Sequence, residues 1–151
     1  MTLEVRQATA ADMAQVFAVW HEVFVLGQNV PADLERDDLD QVCDHVLARV
    51  DGVVVGTGRL VPGRVAADGT LQAAPVATVG RLAVAASARG SGVGARLLWL
   101  LETLVTQRGV PVVELHAQVH ALGFYERAGY TSFGEIYREA GIDHIGMAKQ
   151  L

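Results

Sequence analysis

Residues 89–98 read Arg-Gly-Ser-Gly-Val-Gly-Ala-Arg-Leu-Leu, between an apolar run and a run with helical spacing. Glycines let a backbone follow unusual paths and bring its N–H groups close to a ligand. The helix that follows opens with unsatisfied N–H donors and the positive end of its dipole. Together these make an anion site, and phosphate is the anion that suits it. Arg89 and Arg96 add positive charge. The turn reads as a holder of phosphate or pyrophosphate.

Several occupants compete. A nucleotide-binding P-loop needs Lys and then Ser or Thr after its last glycine, and Gly94 is followed by Ala95 and Arg96. That option fails. A dinucleotide turn, G-x-G-x-x-G/A, is matched by Gly90, Gly92 and Ala95, and Glu114 stands near its ribose-binding acid. Context argues against it, because an antiparallel hairpin precedes the turn and only 37 residues follow Glu114. A glycine turn with no ligand is the plain alternative.

Other side chains could move protons. A histidine titrates near neutrality and can relay one. His116, His120 and His144 also raise the question of a metal. However, His116 and His120 straddle a strand end instead of sharing a helix face, and no carboxylate pattern joins them, so no metal is expected. Capping a helix or sitting satisfied in the core are equally open roles for His120 and His144. Tyr125 lies on an apolar stripe with Ala121, Phe124 and Ala128, and spacing alone favours a core role. Glu22 is another candidate base, against which stands the plain role of a solvated helix residue.

These residues need a frame. Residues 3–8 alternate as a strand. Thr9 and Asp12 resemble a capping box before Met13, Val16, Phe17, Trp20 and Phe24 at helical spacing. Gly27 and Pro31 are expected to stop that helix. Residues 33–44 are rich in acids and read as a solvated loop or short helix. Asp51–Gly52 between two β-rich runs predicts a tight hairpin. Residues 64–72 read as a loop, and 75–85 as a strand. Val93, Leu97, Leu101, Leu104 and Val105 mark a helix stopped by Gly109, followed by a strand at 112–117. A strand–helix–strand unit over 79–117 should be parallel. A short helix around 121–128 and strands near 131–138 and 144–150 complete the chain. The expectation is α/β (α+β): one domain over 1–151, a mixed, mostly antiparallel sheet flanked by helices.

Bulk composition fits. The chain has 151 residues, is 51% hydrophobic and has a mean hydropathy of +0.28, which suits one packed core. No apolar run is long enough for a membrane span, and the N-terminus lacks a secretory pattern. Cys43, the one cysteine, cannot close an intrachain disulfide. A cytoplasmic protein is expected. The net charge of −5 argues against a general nucleic-acid binder.

The segment Arg89–Gly94 resembles the Q/R-x-x-G-x-G/A motif of the GNAT N-acetyltransferase superfamily, with Arg89, Gly92 and Gly94 at the diagnostic positions. GRLAV at 80–84 is similar to that family's central strand, and GFYERAGY at 123–130 to its later helix. VFVLGQNVP at 23–31, DHVLAR at 44–49, HAQVHALGFYERAGY at 116–130 and EAGIDHIGM at 139–147 resemble the ElaA-like branch. The chain departs from that branch at Trp20, Gly27 and Gly123, where Arg, Glu and often Asn are usual. Its acceptor pocket is therefore expected to differ.

The resemblance implies an acetyl-CoA-dependent N-acetyltransferase acting on a primary amine of a small molecule or peptide. Backbone N–H groups of Arg89, Gly90, Ser91, Gly92, Val93 and Gly94 would bind the coenzyme A pyrophosphate. Leu82, Ala83 and Val84 would pair with the pantetheine arm as an added strand does. That pairing needs the strands at 79–85 and 112–117 to splay apart. Tyr125 would protonate the leaving thiolate. His120 and His144 match favoured positions and are candidate bases, as Gln118 and Glu139 match favoured positions without an assigned role. Family members are often homodimers. The departures at Gly27 and Gly123 keep a second function open, an acyl-CoA-binding sensor without strong catalysis.

Overall fold

The computed structural model describes residues 2–30 and 43–151. Its sheet has seven strands: β1 (Leu3–Gln7), β2 (Asp44–Val50), β3 (Val53–Val65), β4 (Leu71–Val84), β5 (Val112–Gln118), β6 (Thr131–Glu139) and β7 (Ile142–Gln150). They lie in the order β1-β2-β3-β4-β5-β7-β6. Among the described residues only β4 and β5 pair in parallel; the other neighbours are antiparallel. The expected mixed, mostly antiparallel sheet is present, and a doubly wound parallel sheet is not.

Among the described residues three α-helices flank it: α1 (Met13–Trp20), α2 (Val93–Gln107) and α3 (Leu122–Arg127). Strand alternation sends side chains to opposite faces. Val46 and Ala48 of β2 join a core with Leu97, Leu98, Leu101 and Val105 of α2, while Leu47 joins Val16, Val19 and Trp20 of α1 on the other face. Gly56 and Gly58 let α2 come close: a Cβ there would lie 2.8 Å from Leu97 and 2.9 Å from Leu101.

Several local readings hold. Asp51 (φ 51°) and Gly52 (φ 85°) both have positive φ, as a type I′ hairpin requires. Gly109 (φ 71°) follows α2 and Gly129 (φ 98°) follows α3. The Thr9 amide donates to the Asp12 carboxylate at 2.7 Å, although the element it opens is a 3-10 turn, Ala10–Asp12.

Others need correction. Gly27 does not stop the first helix. α1 continues through a π-helical turn, His21–Leu26, and Gly27 keeps right-handed geometry (φ −87°). The left-handed residue is Asn29 (φ 59°), and the Val30 amide donates back to the Phe24 carbonyl at 2.8 Å. Asn29 thus does the work expected of a glycine. Pro31 and all but Cys43 and Asp44 of the acidic stretch lie outside the described residues. The 64–72 loop is shorter than expected, because β3 runs to Val65 and β4 begins at Leu71. Pro62 and Gly63 stay within the strand through a register shift beside Gly63 (φ 104°).

Candidate active site

β4 and β5 stay paired only from Val76–Val112 to Val79–Leu115. Beyond that point β5 keeps its pairing with β7, and β4 keeps its pairing with β3. The cause lies in β4. Opposite Thr57–Arg59 its register shifts, and Arg81 there adopts φ 53°, unusual for a residue with a side chain. Such a bulge adds a residue and bends its strand. It also reverses side-chain parity: Ala77 and Val79 face α2, and after the bulge Leu82 and Val84 do. The Arg81 guanidinium lies 5.4 Å from the ring centroid of the fully buried Trp20. Trp20, one of the departures from the ElaA-like pattern, thus packs beneath the bulge.

The parted strands frame a cavity of about 690 Å³. Leu82, Ala83 and Val84 line one side; His116, Gln118, His120 and Tyr125 line the other. The freed edge of β4 fits an extended ligand segment. Among the described residues no three His, Cys, Asp or Glu side chains gather as a metal site.

The glycine turn lies at the end of β4, after a short 3-10 segment, Ala86–Ala88. Arg89, Gly90, Ser91 and Gly92 are exposed. Gly90 (φ 79°) and Gly92 (φ 82°) have open space where a Cβ would stand. Val93 is buried in the core, so only its backbone can serve a ligand. Gly94 sits inside α2, 3.4 Å at its Cβ position from the Phe124 ring. Arg89 reaches back, its Nε donating to the Val84 carbonyl at 3.1 Å, and the Ser91 hydroxyl donates to the Ala88 carbonyl. Both bonds brace the turn. The backbone of the turn is open to solvent, while the Arg89 side chain is engaged within the turn itself.

Tyr125 belongs to α3, on the α2 side of the sheet. Its ring meets Phe124 edge-on at 5.0 Å and Tyr130 at 6.0 Å. Burial pushes its hydroxyl up to about 12, so it holds its proton at neutral pH. Tyr130 is itself anchored, donating to Glu102 at 2.7 Å, and Lys149 bonds the same carboxylate at 3.1 Å.

The opposite face of the sheet gathers polar groups in register. Gln118 pairs with His144 across β5–β7, and His144 pairs with Tyr137 across β7–β6, so the three side chains share a face. His116, two residues before Gln118, and Glu139, two after Tyr137, share it too. His144 Nδ1 donates to the Ile142 carbonyl at 2.8 Å, and its ring stacks on Tyr137 at 5.7 Å. With Nδ1 carrying the proton, neutral His144 holds a lone pair on Nε2. His120, in the 3-10 turn Val119–Ala121, also lines the cavity but is exposed. Gln28 and Gln118 exchange amide hydrogen bonds across the cavity wall. Glu114, the ribose-binding candidate of the dinucleotide reading, is instead held by Arg64 through two bonds of 2.8 Å.

The cavity therefore joins most of the expected residues and adds Gln28, His116, Tyr137 and Arg81. Tyr137 was visible only through strand register, which places it beside His144; His116, weighed in the sequence for a metal, joins the same face through β5.

An exposed glycine turn at a helix start thus follows a strand that parts from its parallel neighbour. Residues 7–151 match the acetyltransferase (GNAT) domain, and the chain belongs to that family. Within it the chain is similar to ElaA of Escherichia coli, 36% identical over 131 residues, covering 85% of this chain and 81% of ElaA. The crystal structure of E. coli ElaA superposes with a TM-score of 0.80 at 28% identity, covering 98% of this chain and 99% of that one. An acyl-CoA N-acyltransferase from Pseudomonas aeruginosa superposes at 0.79, with 28% identity and 98% of each chain covered. An aminoglycoside 6′-N-acetyltransferase complexed with coenzyme A shares the fold at 0.74, with 17% identity, 97% of this chain and 96% of that one covered. Among the described residues no helix is long and apolar enough to cross a membrane.

Proposed function

We propose that this protein, acting as one domain over 1–151, transfers the acetyl group of acetyl-CoA to a primary amine of a small molecule or peptide. The observation that carries the reading is the parting of β4 from β5 after Val79–Leu115, with the open glycine turn at one end of the gap and a histidine–tyrosine face beside it. Coenzyme A bound to the aminoglycoside acetyltransferase supports the same class of donor here.

Each residue has a role in this reading. Backbone N–H groups from Arg89 to Gly94 hold the pyrophosphate, and Arg89 shapes the turn through Val84. Leu82, Ala83 and Val84 offer an unpaired edge to the pantetheine arm, which makes it an added strand. A freed N–H on this edge stabilises negative charge on the thioester oxygen; such a donor contributes about 3 kcal/mol. Acetyl-CoA supplies the activated acyl group.

Two protons must move. A primary amine at neutral pH is mostly ammonium, with a pKa of about 10 by analogy with lysine. His144 Nε2 accepts that proton, its lone pair set by the Nδ1 bond to Ile142. His120 is the second candidate, reached by solvent and nearer α3. Tyr125 gives its proton to the departing thiolate.

Calorimetric titration with coenzyme A, then acetyl transfer to a panel of primary amines, tests the reading. Micromolar affinity and transfer to at least one amine are expected. Absent coenzyme A binding overturns it.

A further inference from the structure

Buried polar atoms are nearly always paired, and an exception marks a place that a ligand or water completes. His116 Nδ1 and Tyr137 Oη line the cavity, are buried without a hydrogen-bond partner among the described residues, and belong to rings in contact. The rings meet edge to face at 5.9 Å. Thr57, Trp20 and Arg49 also carry unpaired buried atoms, but they do not line this cavity.

With the His116 ring neutral, the hydrogen-bonding character of each atom is defined. His116 Nε2 donates to the Val65 carbonyl at 2.6 Å, so in the neutral ring Nδ1 is a bare acceptor. Tyr137 keeps its proton, because burial and then the charge of Glu139 push the hydroxyl up to about 12. Oη can therefore donate one hydrogen bond and accept another.

We propose that His116 Nδ1 and Tyr137 Oη form a recognition subsite for a neutral group on the acceptor amine that both donates and accepts a hydrogen bond, a hydroxyl or a primary amide. The proposal deepens the acetyltransferase reading and rests on it. With His116 neutral, the alternatives leave a buried atom incompletely paired. A carboxylate brings no proton to Nδ1. A second ammonium can donate to Nδ1 but leaves the Oη proton without an acceptor. An alkyl chain leaves both atoms unpaired. Tyr137 stacks on His144, so the subsite adjoins the atom assigned as base. Sites built to bond such a group discriminate strongly against analogues that lack it.

Matched amines test this. The full chain, with coenzyme A present, is titrated calorimetrically with propylamine, ethanolamine and glycinamide. Ethanolamine, glycinamide or both should bind at least about tenfold more tightly than propylamine. The two arms say whether hydroxyl or amide is preferred. Tyr137→Phe keeps the ring contacts and should bring the preference to about onefold. In the unmodified protein, the nitrogen-15 resonance of His116 Nδ1 should move on adding the preferred amine and not on adding propylamine. Equal affinities, no affinity for any of the three, a preference that Tyr137→Phe leaves intact, or an unmoved Nδ1 resonance overturns the subsite. Acetyl transfer is scored separately. Equal transfer to all three amines strikes the subsite and spares the acetyltransferase reading. Selective binding without transfer to any amine strikes that reading and spares the subsite.

Discussion

The side-chain amides of Gln28 and Gln118 are joined twice, Gln28 Nε2 donating at 3.0 Å and Gln118 Nε2 at 2.8 Å, although 90 residues separate them in sequence. The clasp ties the chain just after α1 to the last residue of β5, beside His144. It holds one wall of the cavity where β4 and β5 have parted. The two part-buried bonds together contribute about 1 kcal/mol net, at about 0.5 kcal/mol each. Gln28→Ala and Gln118→Ala should each lower unfolding stability by about that much. Their combination should cost little more than either alone, a coupling of about 1 kcal/mol. Denaturant unfolding of the four proteins measures it, and simple additivity would show that the clasp is not made in solution.

Tyr125→Phe separates packing from chemistry. The ring contacts with Phe124 and Tyr130 survive, since neither uses the hydroxyl. Only the proton is lost. If Tyr125 protonates the leaving thiolate, kcat should fall by about 10²-fold or more. Coenzyme A affinity should stay within about twofold, because the pyrophosphate turn is untouched. Unchanged turnover would return Tyr125 to the core role that its apolar stripe suggests.

Much of this frame was legible in the sequence. Asp51–Gly52 announces its hairpin, and the stripe Val93, Leu97, Leu101 and Val105 announces α2, because each signal is local. The parting of β4 from β5 was not legible. It depends on a bulge at Arg81, and nothing in an arginine's identity marks a left-handed conformation. The glycine turn, by contrast, could be read because Gly90 and Gly92 do adopt positive φ. Tyr137 was hidden for a different reason. β6 is an edge strand exposed at every residue but Tyr137, so it carries no apolar alternation. Only its register with β7 brings Tyr137 opposite His144. His116 was considered for a metal, whereas its ring bonds the Val65 carbonyl.

Gly92→Ala isolates the backbone of the pyrophosphate turn. Gly92 has φ 82°, and a Cβ would meet nothing within 4 Å. The cost is therefore conformational, about 1–2 kcal/mol. For a chain of this size that lowers Tm by about 2–8 °C. If the turn relaxes to avoid the strain, its N–H groups re-aim, and coenzyme A affinity should drop by about tenfold. Gly94→Ala is the control. Gly94 lies in α2 with the Phe124 ring at ordinary contact distance, so stability should change by less than about 1 kcal/mol. Equal effects from the two substitutions would show that positive φ at Gly92 does not matter.

Tyrosine titration reports the packing around the site. The chain has three tyrosines, and all are raised above the ordinary value of 10. Burial takes Tyr125 up to about 12. Burial and then Glu139 take Tyr137 to about 12. Tyr130 is pushed higher still, by burial and then by the Glu102 carboxylate it bonds. In the unfolded chain each should ionise near 10. The sign follows from proton counting. Below about pH 10 both states keep the protons, and the tyrosine contribution is fully present. Above it the unfolded chain loses protons first, so stability falls as pH rises toward about 12. The native protein should show almost no tyrosinate absorbance at about pH 10, where the denatured protein is half ionised. Tyr125→Phe should flatten the alkaline fall in stability. Native titration near pH 10 would mean that water reaches these hydroxyls, and the cavity walls described for Tyr125 and Tyr137 would be wrong.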